Sequence, residues 1–83
     1  MGYYFYILRS KIDNSYYVGS TNNLTRRLKE HNRGKSKYTR NKKPWELVYN
    51  EELSTLSLVR RRENQVKSWK KRVAIEKLIG PVV

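Results

Sequence analysis

Between Tyr3 and His31 the chain reads YYFYILRSKIDNSYYVGSTNNLTRRLKEH, and this stretch limits the possible folds more than any other. Two aromatic-rich runs flank the turn formers Asp13, Asn14 and Ser15, with ten residues between Tyr6 and Tyr17. That spacing predicts two strands paired as a hairpin, with both tyrosines on one sheet face. A helix is expected next, because Leu24, Arg27, Leu28 and His31 recur at i, i+3, i+4 and i+7 and so share one inward stripe. Half of that stripe is an arginine and the only histidine of the chain. Long cationic side chains rarely turn inward without a partner, so the stripe is expected to aim a guanidinium and an imidazole into a pocket.

Charge narrows the partners. Nineteen Lys and Arg against seven Asp and Glu give a formal charge of +12, which favours a polyanion and rapid, salt-sensitive association. Nucleic acid leads, ahead of an anionic lipid surface, since no segment reads as a basic amphipathic helix with bulky apolar residues opposite. With no cysteine and a single histidine, disulfide frameworks, thiolate metal sites and multi-histidine zinc chemistry are excluded. No signal-peptide pattern and no membrane-length apolar run is visible, so a cytoplasmic, soluble protein with no membrane partner is expected, a monomer by default. At 83 residues the expectation is one domain over 1–83, so that any site sits on one fold.

In chain order, Tyr3 to Arg9 alternates aromatic and aliphatic residues on both faces, which predicts a central strand covered on two sides. Tyr16 to Ser20 is the second strand, and Gly19 within it marks either a bulge or a close backbone approach. Thr21, Asn22 and Asn23 can cap a helix from Leu24 to about Asn32. The connection Arg33 to Lys43, RGKSKYTRNKK, spans eleven residues and carries only positive charges. Its length, with Tyr38 and Thr39 among the cations, predicts a surface that touches phosphates through Lys35, Lys37 and Arg40 and stacks a base on Tyr38. Glu46 to Glu52 reads as a third strand, with Leu47 and Tyr49 on one face and Val48 on the other. Ser54 or Thr55 caps a helix running to Trp69, whose stripe of Val59, Glu63 and Val66 brings a carboxylate inward. The last helix is expected over Lys70 to Ile79, stopped by Gly80-Pro81. The predicted core is Tyr4, Ile7, Leu8, Val18, Leu24, Leu28, Leu47, Val48, Leu56, Val59, Val66 and Leu78, with Trp69 covering an edge.

These residues resemble the core of the GIY-YIG nuclease superfamily, named for two short strand motifs that precede a helix with an arginine and often a histidine. The first motif reads Tyr4-Phe5-Tyr6 and the second Tyr17-Val18-Gly19, with Arg27 eight residues beyond Gly19 and His31 one turn later. The first keeps only its tyrosine, and the second keeps all but an Ile-to-Val change. The resemblance covers nearly the whole chain, and small stand-alone, single-domain bacterial members look most alike. It implies an α+β fold, a small three-stranded, mainly antiparallel sheet flanked by about three helices.

The resemblance also implies a function: a metal-dependent endonuclease that hydrolyses phosphodiester bonds of nucleic acid, DNA ahead of RNA. Carried over by motif, Tyr6 is the general base on water and Tyr17 orients water or phosphate. Arg27 clamps the phosphate, His31 assists proton movement or binds the phosphate, and Gly19 gives a close backbone contact. Glu63 holds one Mg²⁺, with Mn²⁺ as a substitute. A free phenol titrates near about pH 10, so the base role leads to the expectation of a Tyr6 pKa lowered by nearby cations. One departure is visible: many members carry an asparagine after the last helix, where this chain reads Ile79-Gly80-Pro81-Val82-Val83. Asn64 and Asn50 are the candidates to replace it, though neither matches by position.

Two other classes fit the same residues. One is a catalytically degenerate nucleic-acid-binding module; the other is a basic interaction protein of the same fold, with its tyrosines used for packing. From pattern alone, Arg27 and Glu63 also read as a buried ion pair with His31 hydrogen-bonded beside it.

Overall fold

Three strands, β1 (Tyr3–Ser10), β2 (Tyr16–Thr21) and β3 (Trp45–Leu53), form an antiparallel sheet with β1 in the middle, in a computed structural model that describes residues 2–80. The central place of β1 explains its composition. Phe5 and Ile7 point to one face and Tyr6 and Leu8 to the other, and none of the four is more than 2% exposed. The β1–β2 turn is closed by Asp13, whose carboxylate accepts from the Ser15 amide at 3.0 Å and its hydroxyl at 2.7 Å. Asn14 takes the left-handed position at φ 62°, a conformation asparagine tolerates better than most residues.

Helix α1 (Leu24–Asn32) packs on the Tyr6 face. Asn23 caps it, its Oδ1 accepting the Arg26 amide at 3.0 Å, a contact worth about 1 kcal/mol. The opposite face is covered by α2 (Leu56–Lys67) and α3 (Arg72–Ile79). There Val59 and Val66 meet Phe5, Ile7 and Val18, with Trp69, Ile75 and Leu78 closing the edges as half-buried cover. Thr55 is the cap of α2, accepting from the Leu58 amide at 3.1 Å. The expected α+β sandwich is the observed one, with every strand pair antiparallel. Two helix ends differ from expectation: α2 stops at Lys67 and α3 starts at Arg72, which leaves Trp69 in the connection. Gly80, at φ 85°, ends α3; Pro81, Val82 and Val83, part of the predicted stop and of the stretch lacking the family asparagine, lie outside the described residues.

The third strand corrects the sequence reading. Its register with β1 shifts between Ile7, which faces Tyr49, and Leu8, which faces Leu47. Val48 is the extra residue of a bulge, so Val48 and Tyr49 both pack toward Phe5 and Ile7 while Leu47 goes to the α1 face. Leu47 and Leu56, both expected in the core, are 36% and 41% exposed. Trp45 is buried at 4% in their stead.

The cationic connection is pinned along its length. Asn32 brackets the Trp45 backbone, accepting its N–H at 2.6 Å and donating to its carbonyl at 3.1 Å. The Trp45 indole donates to the Thr39 carbonyl at 2.9 Å, and the Ser10 hydroxyl donates to the Lys42 carbonyl at 2.6 Å. The loop therefore folds back on the end of the sheet.

Candidate active site

Alternation on β1 and β2 sends Tyr6 and Tyr17 to the α1 face, and the α1 stripe brings Arg27 and His31 down on them. Tyr6 lies opposite Gly19, and Leu8 opposite Tyr17, in the sheet register. The His31 ring meets the Tyr17 ring edge-on with centroids 4.8 Å apart, and its Nε2 lies 3.0 Å from the Tyr6 hydroxyl. Its Nδ1 is 2.8 Å from the hydroxyl of Thr39. Both His31 and Thr39 are fully buried. Four of the five residues expected to be catalytic thus share one cluster, joined by a threonine that was expected on the surface.

Electrostatics in this cluster follow burial. Burial pushes the Tyr6 phenol up to about 12, against the Arg27 guanidinium beside it, which lowers it, while the Tyr17 and Glu63 charges add to the rise. The expectation of a lowered phenol is overturned, because desolvation of the phenolate outweighs the cation. Burial also pushes the His31 imidazole down to about 4, reinforced by the Arg27 charge. At neutral pH this histidine is an uncharged ring with one donor and one acceptor nitrogen. Both nitrogens are engaged inside the protein, so a direct phosphate contact by His31 is excluded by its surroundings.

Arg27 is half-buried and pairs with Glu30, one turn on, at 3.0 Å. Burial works against its charge, but the oxygens of Glu30 and Tyr6 outweigh it and hold its pKa above the ordinary arginine value. Gly19 is buried, and the close approach it permits is to a side chain: a Cβ there would stand 2.6 Å from the Tyr6 hydroxyl oxygen. The absence of a side chain at Gly19 thus makes room for the end of the Tyr6 ring and its hydroxyl.

Glu63 is on α2, the layer on the far side of the sheet, and the structure does not bring it into hydrogen-bonding contact with the tyrosines. Its Oε2 pairs with Lys67 at 2.6 Å, and its side chain is 18% exposed. The buried Arg27–Glu63 pair is therefore absent, each having a partner on its own helix. The field of the Glu63 carboxylate still reaches the Tyr6 phenol, since it is among the causes of the raised pKa. No group of three His, Cys, Asp and Glu side chains that could hold a metal occurs among the described residues. Asn50 is exposed and faces Tyr6 across the β1–β3 pair, and Asn64 is exposed on α2.

Lys35, Lys37, Tyr38 and Arg40 all stand exposed on the connection after α1, with Tyr38 at 84%. Thr39, between two of them, turns inward to His31. Sequence reasoning missed this role; the available signal was a small β-branched residue inside a run of cations. The arginine run on α2 divides: Arg62 pairs with Glu51 at 3.0 Å and lies 5.8 Å from the centroids of Phe5 and Trp69, whereas Arg60 and Arg61 are exposed.

The description of the GIY-YIG catalytic domain matches residues 2–77. The chain belongs to the GIY-YIG family, a superfamily of nucleases that act on nucleic acid. Its relatives are UPF0213 proteins. One from Bacillus pumilus is 42% identical over 80 residues, covering 92% of this chain and 81% of the relative. Another, from Staphylococcus haemolyticus, is 44% identical over 68 residues, covering 81% and 82%. Among solved structures, the solution NMR structure of the UPF0213 protein BH0048 from Bacillus halodurans superposes with a TM-score of 0.62 at 38% identity, covering 98% of this chain and 89% of that one. No helix of the described residues is long and apolar enough to cross a membrane.

Proposed function

We propose that this chain is a metal-dependent endonuclease that hydrolyses phosphodiester bonds of nucleic acid, with DNA as the preferred class. The observation that carries the reading is the hydroxyl of Tyr6 held 3.0 Å from an uncharged, buried His31 with the Arg27 guanidinium beside it. A phenol at about 12 is scarcely ionised at neutral pH, so Tyr6 works as a base only if its own proton leaves as the water proton arrives. His31 Nε2 is the acceptor in place: water loses a proton to the Tyr6 oxygen while the Tyr6 proton passes to the imidazole. Arg27 binds a nonbridging oxygen, where a planar, permanently charged fork is suited to a phosphate. Tyr17 orients the water or the phosphate from the same face.

A divalent cation, when bound, neutralises the scissile phosphate and assists the leaving oxygen. Glu63 is the residue to hold it. A single hard carboxylate fits Mg²⁺, with Mn²⁺ as substitute, since such an ion fills its shell with waters and substrate phosphate. Oε1 has no hydrogen-bond or ion-pair partner among the described residues, although Oε2 is taken by Lys67.

The second reading is a module that binds nucleic acid without cutting it, favoured by that Lys67 contact. Nicking of supercoiled plasmid with Mg²⁺, and its loss with chelator, separates the two. Salt-dependent binding with no cleavage of single-stranded, duplex, flapped or branched substrates in Mg²⁺ or Mn²⁺ would select the binder.

A further inference from the structure

Thr39 has no role in the nuclease reading, yet among the described residues it is one of three fully buried polar side chains, the others being Ser10 and His31. Its backbone is fixed from the opposite side by the Trp45 indole, which donates to its carbonyl at 2.9 Å. Its hydroxyl meets His31 Nδ1 at 2.8 Å, while Nε2 meets Tyr6 at 3.0 Å. Donors can be assigned along this chain. Among the described residues His31 Nε2 is the only hydrogen-bond partner of the Tyr6 hydroxyl, and the Arg27 guanidinium beside it can only donate. The Tyr6 proton therefore points to Nε2, which must be the unprotonated nitrogen of the neutral ring. Nδ1 then carries the hydrogen, and Thr39 Oγ1 accepts it.

We propose that Thr39 is a positioning residue: its hydroxyl accepts the Nδ1–H of His31 and so fixes the imidazole tautomer and ring angle in which Nε2 receives the Tyr6 proton. Without that acceptor the buried Nδ1–H would be left unpaired, and the ring would favour the tautomer with hydrogen on Nε2, donated to the Tyr6 oxygen, which leaves no nitrogen to receive the Tyr6 proton. The same threonine sits between exposed Tyr38 and Arg40. The connection that presents cations outward thereby also supplies the inner end of the proton path, so the placing of those cations and the state of His31 are tied to one backbone segment. The hydrogen-bond assignment is independent of the nuclease reading; its consequence for cleavage rests on that reading.

His31 is the only histidine, so ¹⁵N-labelled imidazole reports on it without ambiguity. The parent at neutral pH should show the Nδ1–H tautomer, and Thr39→Ser should keep it. Thr39→Val, which keeps the shape and removes the acceptor, should shift the ring toward Nε2–H. Mg²⁺-dependent nicking should fall about 10- to 100-fold in Thr39→Val and stay within about threefold in Thr39→Ser, with unchanged affinity for the plasmid. An Nε2–H ring in the parent overturns the proposal, and so does a Thr39→Val protein with unaltered tautomer. If Thr39→Val does not fold, the parent and Thr39→Ser spectra decide. The Nδ1–H tautomer with its Thr39 dependence in a protein that cuts no substrate would remove the nuclease reading and leave the hydrogen-bond assignment standing.

Discussion

The two faces of one strand differ more than any two other regions of this molecule. On one side of β1, Phe5 and Ile7 meet Val18, Val59 and Val66 in a buried apolar cluster, with polar groups only at its margin, where Arg62 lies against the Phe5 ring. On the other, Tyr6 and Leu8 meet Trp45, Tyr17 and the α1 leucines, and the layer also takes in His31 and Thr39. Both faces are equally buried along β1, so burial alone does not distinguish them. What differs is whether the buried atoms need partners. The apolar face contributes through area removed from water, whereas the polar face holds its shape only while every hydroxyl and ring nitrogen is satisfied. Stability is thus expected to be concentrated on the first face and chemistry on the second.

Substitutions on the two faces should separate these properties. The largest loss of stability is expected from Phe5→Ala, about 3–5 kcal/mol for a buried aromatic. In a domain of this size that lowers the melting temperature by more than about 12 °C. A loss under about 1 kcal/mol would show that the apolar face is not the main source of stability.

Next comes a pH effect that belongs to the polar face. His31 titrates at about 4 when folded against an ordinary 6.5, so between those values the unfolded chain binds more protons. Its contribution is complete above 6.5 and is lost as pH falls, roughly 3 kcal/mol across the window. Thermal melts from pH 7 to 4.5, above most carboxylate titration, should fall in the parent and flatten in His31→Gln. Parallel curves would mean that His31 is not held neutral by the fold.

Glu63→Gln sharpens the comparison at a smaller scale. Its partner is Lys67 on the α2 surface, and such i,i+4 pairs contribute less than about 1 kcal/mol. Melting should hardly move, affinity for DNA should hold or rise slightly, and Mg²⁺-dependent nicking should disappear. Cleavage that survives would remove Glu63 from the metal role. The smallest effect on stability is expected from replacing Lys35, Lys37 and Arg40 together by Ala. All three are exposed, so melting should stay constant while the slope of log affinity against log salt flattens by about 3 on duplex DNA. An unchanged slope would make this a merely solvated loop.

Much of the polar face could be read before the structure. The Tyr6, Tyr17, Arg27 and His31 set is local in sequence, so a period of two on the strands and of 3.6 on the helix suffices to converge it. The parts that escaped depend on contacts between distant segments. Alternation cannot foresee the bulge that places Val48 beside Tyr49, and a small β-branched residue in a cationic run marks Thr39 as unusual without naming His31 as its partner. Gly19 was legible as a close approach, but the partner, Tyr6, emerges only from the strand register. Glu63 was legible on its stripe, and the competing i,i+4 lysine was visible too, in the Glu-before-Lys order that favours pairing.

Tyr6→Phe tests the central claim most directly, because it deletes one hydroxyl from the polar face and leaves the ring packed over Gly19. Removing the partner of a buried nitrogen should cost about 1–3 kcal/mol, leaving a folded protein that binds plasmid as the parent does. Measured with Mg²⁺ on supercoiled plasmid, its nicking rate should drop by about a hundredfold or more. A folded Tyr6→Phe protein that nicks at the parent rate would contradict the assignment of this face as the catalytic one.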